Sequence, residues 1–200
     1  MPKTAIMNQP DCIRSLLLLL LTLPFSMCTS DQSPAIAPGT FHLKAMIDLQ
    51  FDVVRFKVKP GSNVTLTLTN VSDMSHNLLI TKPGSRLHVV DTALKLAEKG
   101  PQMDYIPAID DVLWSIPVVS PGQTKSVSFT APAQTGVYPY VCTYPGHGYV
   151  MYGAMYVTTD ENLPEIKNDL NIPESRRHDD STGSKEITQA DHSTPASPHP

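Results

Sequence analysis

Between residues 64 and 69 the chain reads Val64-Thr65-Leu66-Thr67-Leu68-Thr69, an alternation without a slip that follows the turn pair Pro60-Gly61. Period two places every second side chain on one face, so this segment reads as a strand buried on one side. The same grammar recurs along the chain. Lys44-Ala45-Met46-Ile47-Asp48-Leu49 opens the series, and Val53-Val54-Arg55-Phe56-Lys57-Val58-Lys59 alternates apolar with basic residues. His76-Asn77-Leu78-Leu79-Ile80-Thr81 ends at Pro83-Gly84, and Thr124-Lys125-Ser126-Val127-Ser128-Phe129 follows Ser120-Pro121-Gly122. Val112-Leu113-Trp114-Ser115-Ile116 and the segments 136–141 and 153–158 complete seven or eight short strands punctuated by turn chemistry. One stretch differs: over 86–99, Leu87, Val90, Leu94 and Ala97 recur at helical spacing before Gly100-Pro101 ends the run. Nineteen prolines spread over the length exclude a helical bundle. The expectation is an all-β, Greek-key β-sandwich with one helical insertion.

The flanks are different material. Residues 1–28 carry Lys3 and Arg14 ahead of the apolar run Leu16 to Phe25, too short to span a bilayer as a helix, and read as a secretory signal. Cys28 lies just past that run, where bacterial lipoproteins attach lipid. Ordinary cleavage near Ser26 to Ser30 accounts for the same residues, so a membrane tether through a lipidated Cys28 stays open. Export to a periplasm or cell-envelope surface is expected in either case. Residues 29–40 form a short linker. Residues 160–200 hold nine acids, four bases and five prolines with few large apolar side chains, which predicts a disordered acidic tail. His178, His192 and His199 sit in it without the fixed spacing of a metal site.

Residues 41–159 are long enough for a real core, and their charges nearly cancel: nine Lys/Arg less eight Asp/Glu leaves +1. No basic stripe marks them for nucleic acid. Three scattered cysteines exclude a disulfide framework.

Chemistry concentrates in Tyr140-Val141-Cys142-Thr143-Tyr144-Pro145-Gly146-His147-Gly148-Tyr149-Val150-Met151. Cysteine, histidine and methionine fall there at Cys-x4-His-x3-Met on one loop between two strands. His76 lies 66 residues upstream (142 − 76), in Met74-Ser75-His76-Asn77. A thiolate, two imidazoles and a weak thioether make the trigonal set of a blue-copper site. Soft sulfur suits the cuprous ion and imidazole the cupric ion. Short loops held between strands can keep one geometry for both.

In these residues the chain resembles the cupredoxins, and within them the azurin and auracyanin branch. The resemblance covers about Leu43 to Thr159 and rests on the Cys-Thr-aromatic-Pro-Gly-His loop with Met four beyond the His, and on the His-Asn pair of a strand. It implies one type 1 copper ion held by His76 and His147 through Nδ1, by Cys142 through sulfur and by Met151 axially. Ser75 stands where azurins have a glycine whose carbonyl approaches the metal from the other axial side. Asn77 and Thr143 would tie the two ligand segments together. The azurin amino-terminal disulfide has no counterpart, since Cys12 falls in the signal and Cys28 has no partner.

Taken one at a time, a buried cysteine is more often a small hydrophobe and His147 a turn residue; only their joint spacing selects the metal. Cys142 as a nucleophile with His147 as base would leave Met151 and His76 without a role, and no third orienting group is legible. Met155 reads as core and Trp114 as packing, with His42 and His88 exposed. The function implied is one-electron transfer between redox protein partners, without catalysis. His147 would be the exposed edge, and Met74, Tyr144, Pro145, Gly146, Gly148 and Tyr149 a weakly charged docking rim. A copper module for storage, delivery or sensing is the other reading of the same ligands.

Overall fold

The computed structural model describes residues 39–177 and 186–187. The signal segment, Cys12, Cys28, most of the linker and the three tail histidines lie outside the described residues. Two sheets form a Greek-key β-sandwich. The smaller has the order β1 (Gly39–Ala45), β3 (Asn63–Asn70), β6 (Thr124–Thr130). The larger runs β5 (Val112–Val119), β4 (His76–Thr81), β7 (Gly136–Val141), β8 (Tyr152–Val157), β2 (Arg55–Val58), β9 (Glu186–Ile187). Three pairs, β1 with β3, β2 with β8 and β2 with β9, are parallel; the first two follow from a Greek-key path that crosses between sheets. The first strand lies earlier than its sequence suggests. Asp48 and Leu49 fall in a turn, where Leu49 takes a φ of 58° and Phe51 bridges back to Ala45.

In β1 the alternation is complete, with Phe41, Leu43 and Ala45 buried and Thr40, His42 and Lys44 outside. β4 is buried at all six positions. Leu78 and Ile80 face the main core, while Leu79 and Val141 face outward onto a second cluster made with Val89 and Val90. Those valines belong to α1 (Arg86–Leu94), so the helical insertion is the cover on the outer face of β4 and β7. The helix presents Val89, Val90 and Ala93 to the sheet, and Leu87 and Leu94 are exposed, contrary to the stripe read from spacing. The helix ends before Ala97, which starts a 3-10 turn with a φ of 46°, so the longer stripe has no helix to lie on.

The tail expectation needs correction over 160–177. Ile172 is fully buried with Val54, Ala154 and Tyr156 on the outer face of β8 and β2, and Leu163 and Ile166 pack against them. Arg55 donates from Nη1 to Asp169 at 3.3 Å and to the Pro164 carbonyl at 2.5 Å, and Lys57 donates to the carbonyls of Asp160 and Glu161. Composition measures whether a segment can bury its own apolar surface. It is silent on whether a finished sheet offers apolar surface to lie on. Residues 178–185 and 188–200 lie outside the described residues.

Candidate metal centre

Sheet register explains why His76 and Cys142 meet. Leu79 pairs with Val141 and Ile80 with Tyr140 across the antiparallel β4–β7 ladder, so continuing it sets Cys142 opposite Leu78 at the strand end. His76 shares its face with Leu78 and Ile80, and Cys142 shares that of Tyr140, which is the core face. The loop then closes on itself. The Cys142 N–H donates to the Met151 carbonyl at 3.0 Å, and the His147 carbonyl accepts from Val150 and Met151 at 3.0 and 2.8 Å. Gly146 has a φ of 84°, a left-handed conformation that supplies the reversal before His147.

The three donor atoms converge. Cys142 Sγ lies 3.8 Å from His76 Nδ1 and 3.6 Å from His147 Nδ1, and all three lie within 4.8 Å of one another. Metal–nitrogen and metal–sulfur bonds of about 2.0 and 2.3 Å meeting near 120° would set N and S about 3.7 Å apart. The donor set therefore fits one first-row ion of copper's preference, with soft sulfur beside two imidazoles. Cys142, His76 and Met151 are fully buried and His147 is 3% exposed.

Burial dominates the electrostatics. It pushes the Cys142 thiol up to about 12, only partly opposed by the backbone N–H groups of Asn77 and Tyr144 that face the sulfur. It pulls His76 down to about 4, with His147 adding to the effect and Asp73 opposing it, and it lowers His147 as well. All three groups are thus neutral at pH 7 without metal, and loading must displace the thiol proton. Between pH 6.5 and about 4 the unfolded chain holds a proton on His76 that the folded protein refuses. Stability of the metal-free protein therefore falls as the pH is lowered through that window. The expected loss is about 3 kcal/mol, at 1.36 kcal/mol per pKa unit. Thermal melts of metal-free protein at pH 7, 5.5 and 4.5 check it; a flat melting temperature would mean the buried imidazoles accept protons freely.

Asn77 joins the two ligand segments. Its Oδ1 accepts the Thr143 N–H at 2.7 Å, and its Nδ2 donates to Thr143 Oγ1 at 2.8 Å and to the Asp104 carbonyl at 2.7 Å. Thr143 Oγ1 in turn donates to the Tyr105 carbonyl at 2.7 Å. Asp104 and Tyr105 reach this position with φ of 50° and 56°, so the turn after the helical insertion props the site from behind.

Other residues sit where their spacing did not foretell. His147 was expected as an exposed edge, yet its ring lies covered beside Tyr144 and His76, at 5.1 and 4.9 Å between centroids. Among the described residues, its Nε2 is buried without a hydrogen-bond partner. Gly148 belongs to the interior and not to the rim: a Cβ there would fall 2.5 Å from Val90 Cγ2 and 3.0 Å from the Cys142 carbonyl. Helix α1 presses on this half of the loop, with Arg86 Nη1 donating to the Gly148 carbonyl at 2.9 Å and Tyr149 Oη donating to Asp91 at 2.7 Å. Met74, Pro145, Gly146 and Tyr149 are exposed, Tyr144 and Ser75 half-buried. Sequence reasoning missed Ser72, whose Oγ lies 2.7 Å from His76 Nε2, and Asn70, which organises the loop before His76. Position four before the histidine was the only signal for Ser72, and nothing local marked Arg86. Met155 is core, Trp114 stacks on Phe129 at 4.3 Å, and His42 and His88 are exposed.

A β-sandwich with a buried thiol and two imidazoles at one end of its larger sheet is the architecture of a copper-binding cupredoxin. The family described as copper binding proteins, plastocyanin/azurin family, matches residues 42–158, and the chain belongs to it. Within that family it resembles the auracyanins. It is 34% identical over 112 residues to auracyanin-A of Chloroflexus aurantiacus, covering 55% of this chain and 68% of that protein. The solved structure of auracyanin A, a "blue" copper protein of that green thermophilic photosynthetic bacterium, superposes with a TM-score of 0.56 at 32% identity, covering 60% of this chain and 99% of that one. Auracyanin B superposes with a TM-score of 0.54 at 26% identity, over 61% and 89% of the two chains. The placement in the azurin and auracyanin branch holds, and copper is the metal to which this donor set belongs. Among the described residues no helix is long and apolar enough to cross a membrane.

Proposed function

We propose that the protein carries single electrons between redox protein partners. The observation that carries this reading is the convergence of Cys142 Sγ, His76 Nδ1 and His147 Nδ1 in a buried pocket whose walls are strand ends and a closed loop. Copper bound there supplies a one-electron couple. The chain supplies a rigid, water-poor cradle that suits both oxidation states, which keeps reorganisation small. Met151 follows His147 by four residues and its backbone is hydrogen-bonded to both His147 and Cys142, which supports it as the residue that would give copper a weak thioether ligand; the Ser75 carbonyl would be a further oxygen donor. Met74, Tyr144, Pro145, Gly146 and Tyr149 form the rim through which a partner docks, on a domain of nearly balanced charge that favours brief apolar contact. Export rests on the apolar run near the amino end, with Cys28 as the site where lipid would tether the carrier.

A redox titration of the copper-loaded protein tests the reading: reversible one-electron cycling with copper retained in both states is expected. Loss of copper on reduction would favour storage or delivery instead. Met151→Leu is expected to keep copper and raise the midpoint potential, because removing a donor and leaving an apolar side chain in its place penalises the more highly charged cupric ion more than the cuprous one. Release of the ion from this variant would show that Met151 holds the metal instead of tuning it.

A further inference from the structure

The two imidazoles of the centre are held differently. His147 offers its remote nitrogen to no described partner, whereas His76 Nε2 lies 2.7 Å from Ser72 Oγ. Ser72 is itself fixed. Its N–H donates to Asn70 Oδ1 at 2.9 Å, and its Oγ accepts the Met74 N–H at 3.1 Å and reaches the Met74 carbonyl at 3.2 Å. Asn70, fully buried, donates from Nδ2 to the Met74 carbonyl at 2.6 Å and to the Val119 carbonyl at 2.8 Å, so the loop over 71–75 is pinned to the end of β5. A hydroxyl oxygen can accept two hydrogen bonds and donate one. With the Met74 N–H on one lone pair and its own proton directed to the Met74 carbonyl, Ser72 has one acceptor site left, and it faces His76 Nε2.

We propose that Ser72 is a positioning residue for copper. It holds the His76 proton on Nε2, which leaves the Nδ1 lone pair aimed at the Cys142 sulfur and makes that nitrogen a stronger donor once metal binds. An imidazole whose far N–H is accepted by an oxygen is more electron-rich, and such outer partners commonly govern metal affinity by 10–100-fold. The proposal rests on His76 being a ligand, and it adds a residue 70 positions before Cys142 (142 − 72) to the determinants of the site.

The first measurement needs no copper. In metal-free protein above pH 6, the ¹⁵N shifts of His76 are expected to show the proton on Nε2, and in Ser72→Ala a mixture of both tautomers. A wild-type proton on Nδ1, or a tautomer ratio unchanged in Ser72→Ala, would overturn the proposal whether or not the protein carries electrons. In loaded protein, Ser72→Ala is expected to bind cupric ion about tenfold more weakly. Its midpoint potential should rise and its copper hyperfine splitting should change, and Ser72→Thr, which keeps the hydroxyl, should restore all three. Restoration by Thr excludes mere loosening of the loop, while equal defects in Ala and Thr would reduce Ser72 to a structural role. The visible thiolate–copper band of the wild type separates the two levels: its absence sinks the metal reading, and its presence with an indifferent Ser72→Ala sinks this proposal alone.

Discussion

Cys142→Ser protein is expected to fold and to lose the intense visible absorption of the copper-loaded form completely. That band requires charge transfer from a thiolate, and Cys142 is the only cysteine among the described residues. The backbone link from the Cys142 N–H to the Met151 carbonyl is independent of the side chain, so the ligand loop should keep its closure. Serine is smaller and its hydroxyl is far harder to deprotonate, so it replaces a soft anion by a hard neutral group facing two imidazoles. Absorption and electron-spin spectra of the cupric protein check the outcome, with circular dichroism confirming the fold. A band that survives this substitution would overturn the assignment of the metal centre.

Gly153→Ala is expected to cost the protein about 3–4 kcal/mol, from overpacking together with one compromised hydrogen bond. A Cβ at residue 153 would stand 2.3 Å from Cζ and Oη of Tyr140 and 2.5 Å from the Val54 carbonyl oxygen. Neither neighbour can retreat. Tyr140 is fully buried, its ring lies against Phe51 and Phe56 at 5.4 and 5.6 Å, and its hydroxyl donates to the Val53 carbonyl at 2.5 Å. The Val54 oxygen accepts the Ala154 N–H at 2.9 Å, so moving it opens the junction of β2 and β8. Tyr140 also lies two residues before Cys142, and copper affinity should fall with stability. Urea denaturation of metal-free protein measures the loss; a change below about 1 kcal/mol would mean that β8 can shift without penalty.

The two effects draw on different kinds of information. The ligand segment 142–151 was legible because its chemistry is compressed into one loop, where spacing alone relates thiol, imidazole and thioether. His76 was legible because a His-Asn pair opens an apolar strand, and register then carries it to Cys142. The role of Asn77 came through resemblance, and its three hydrogen bonds give that role a physical form. Gly153 had no signature at all, because a glycine in a strand announces only that something comes close, never what.

The sequence by itself determined most of the strands after the first, the turns between them, and the Cys-x4-His-x3-Met loop that points to copper. Each of these depends on periodicity or spacing among neighbours in the chain, and local geometry transmits such patterns directly into structure. Only the tertiary structure decided that α1 turns Val89, Val90 and Ala93 inward, that His147 is covered and Gly148 locked beneath Val90. It also decided that residues 160–177 lie on the sheet through Ile172 and Asp169, and that Ser72 grips His76. These outcomes depend on which surfaces meet after the sheets have formed, and burial of one residue is a property of its distant neighbours as much as of itself.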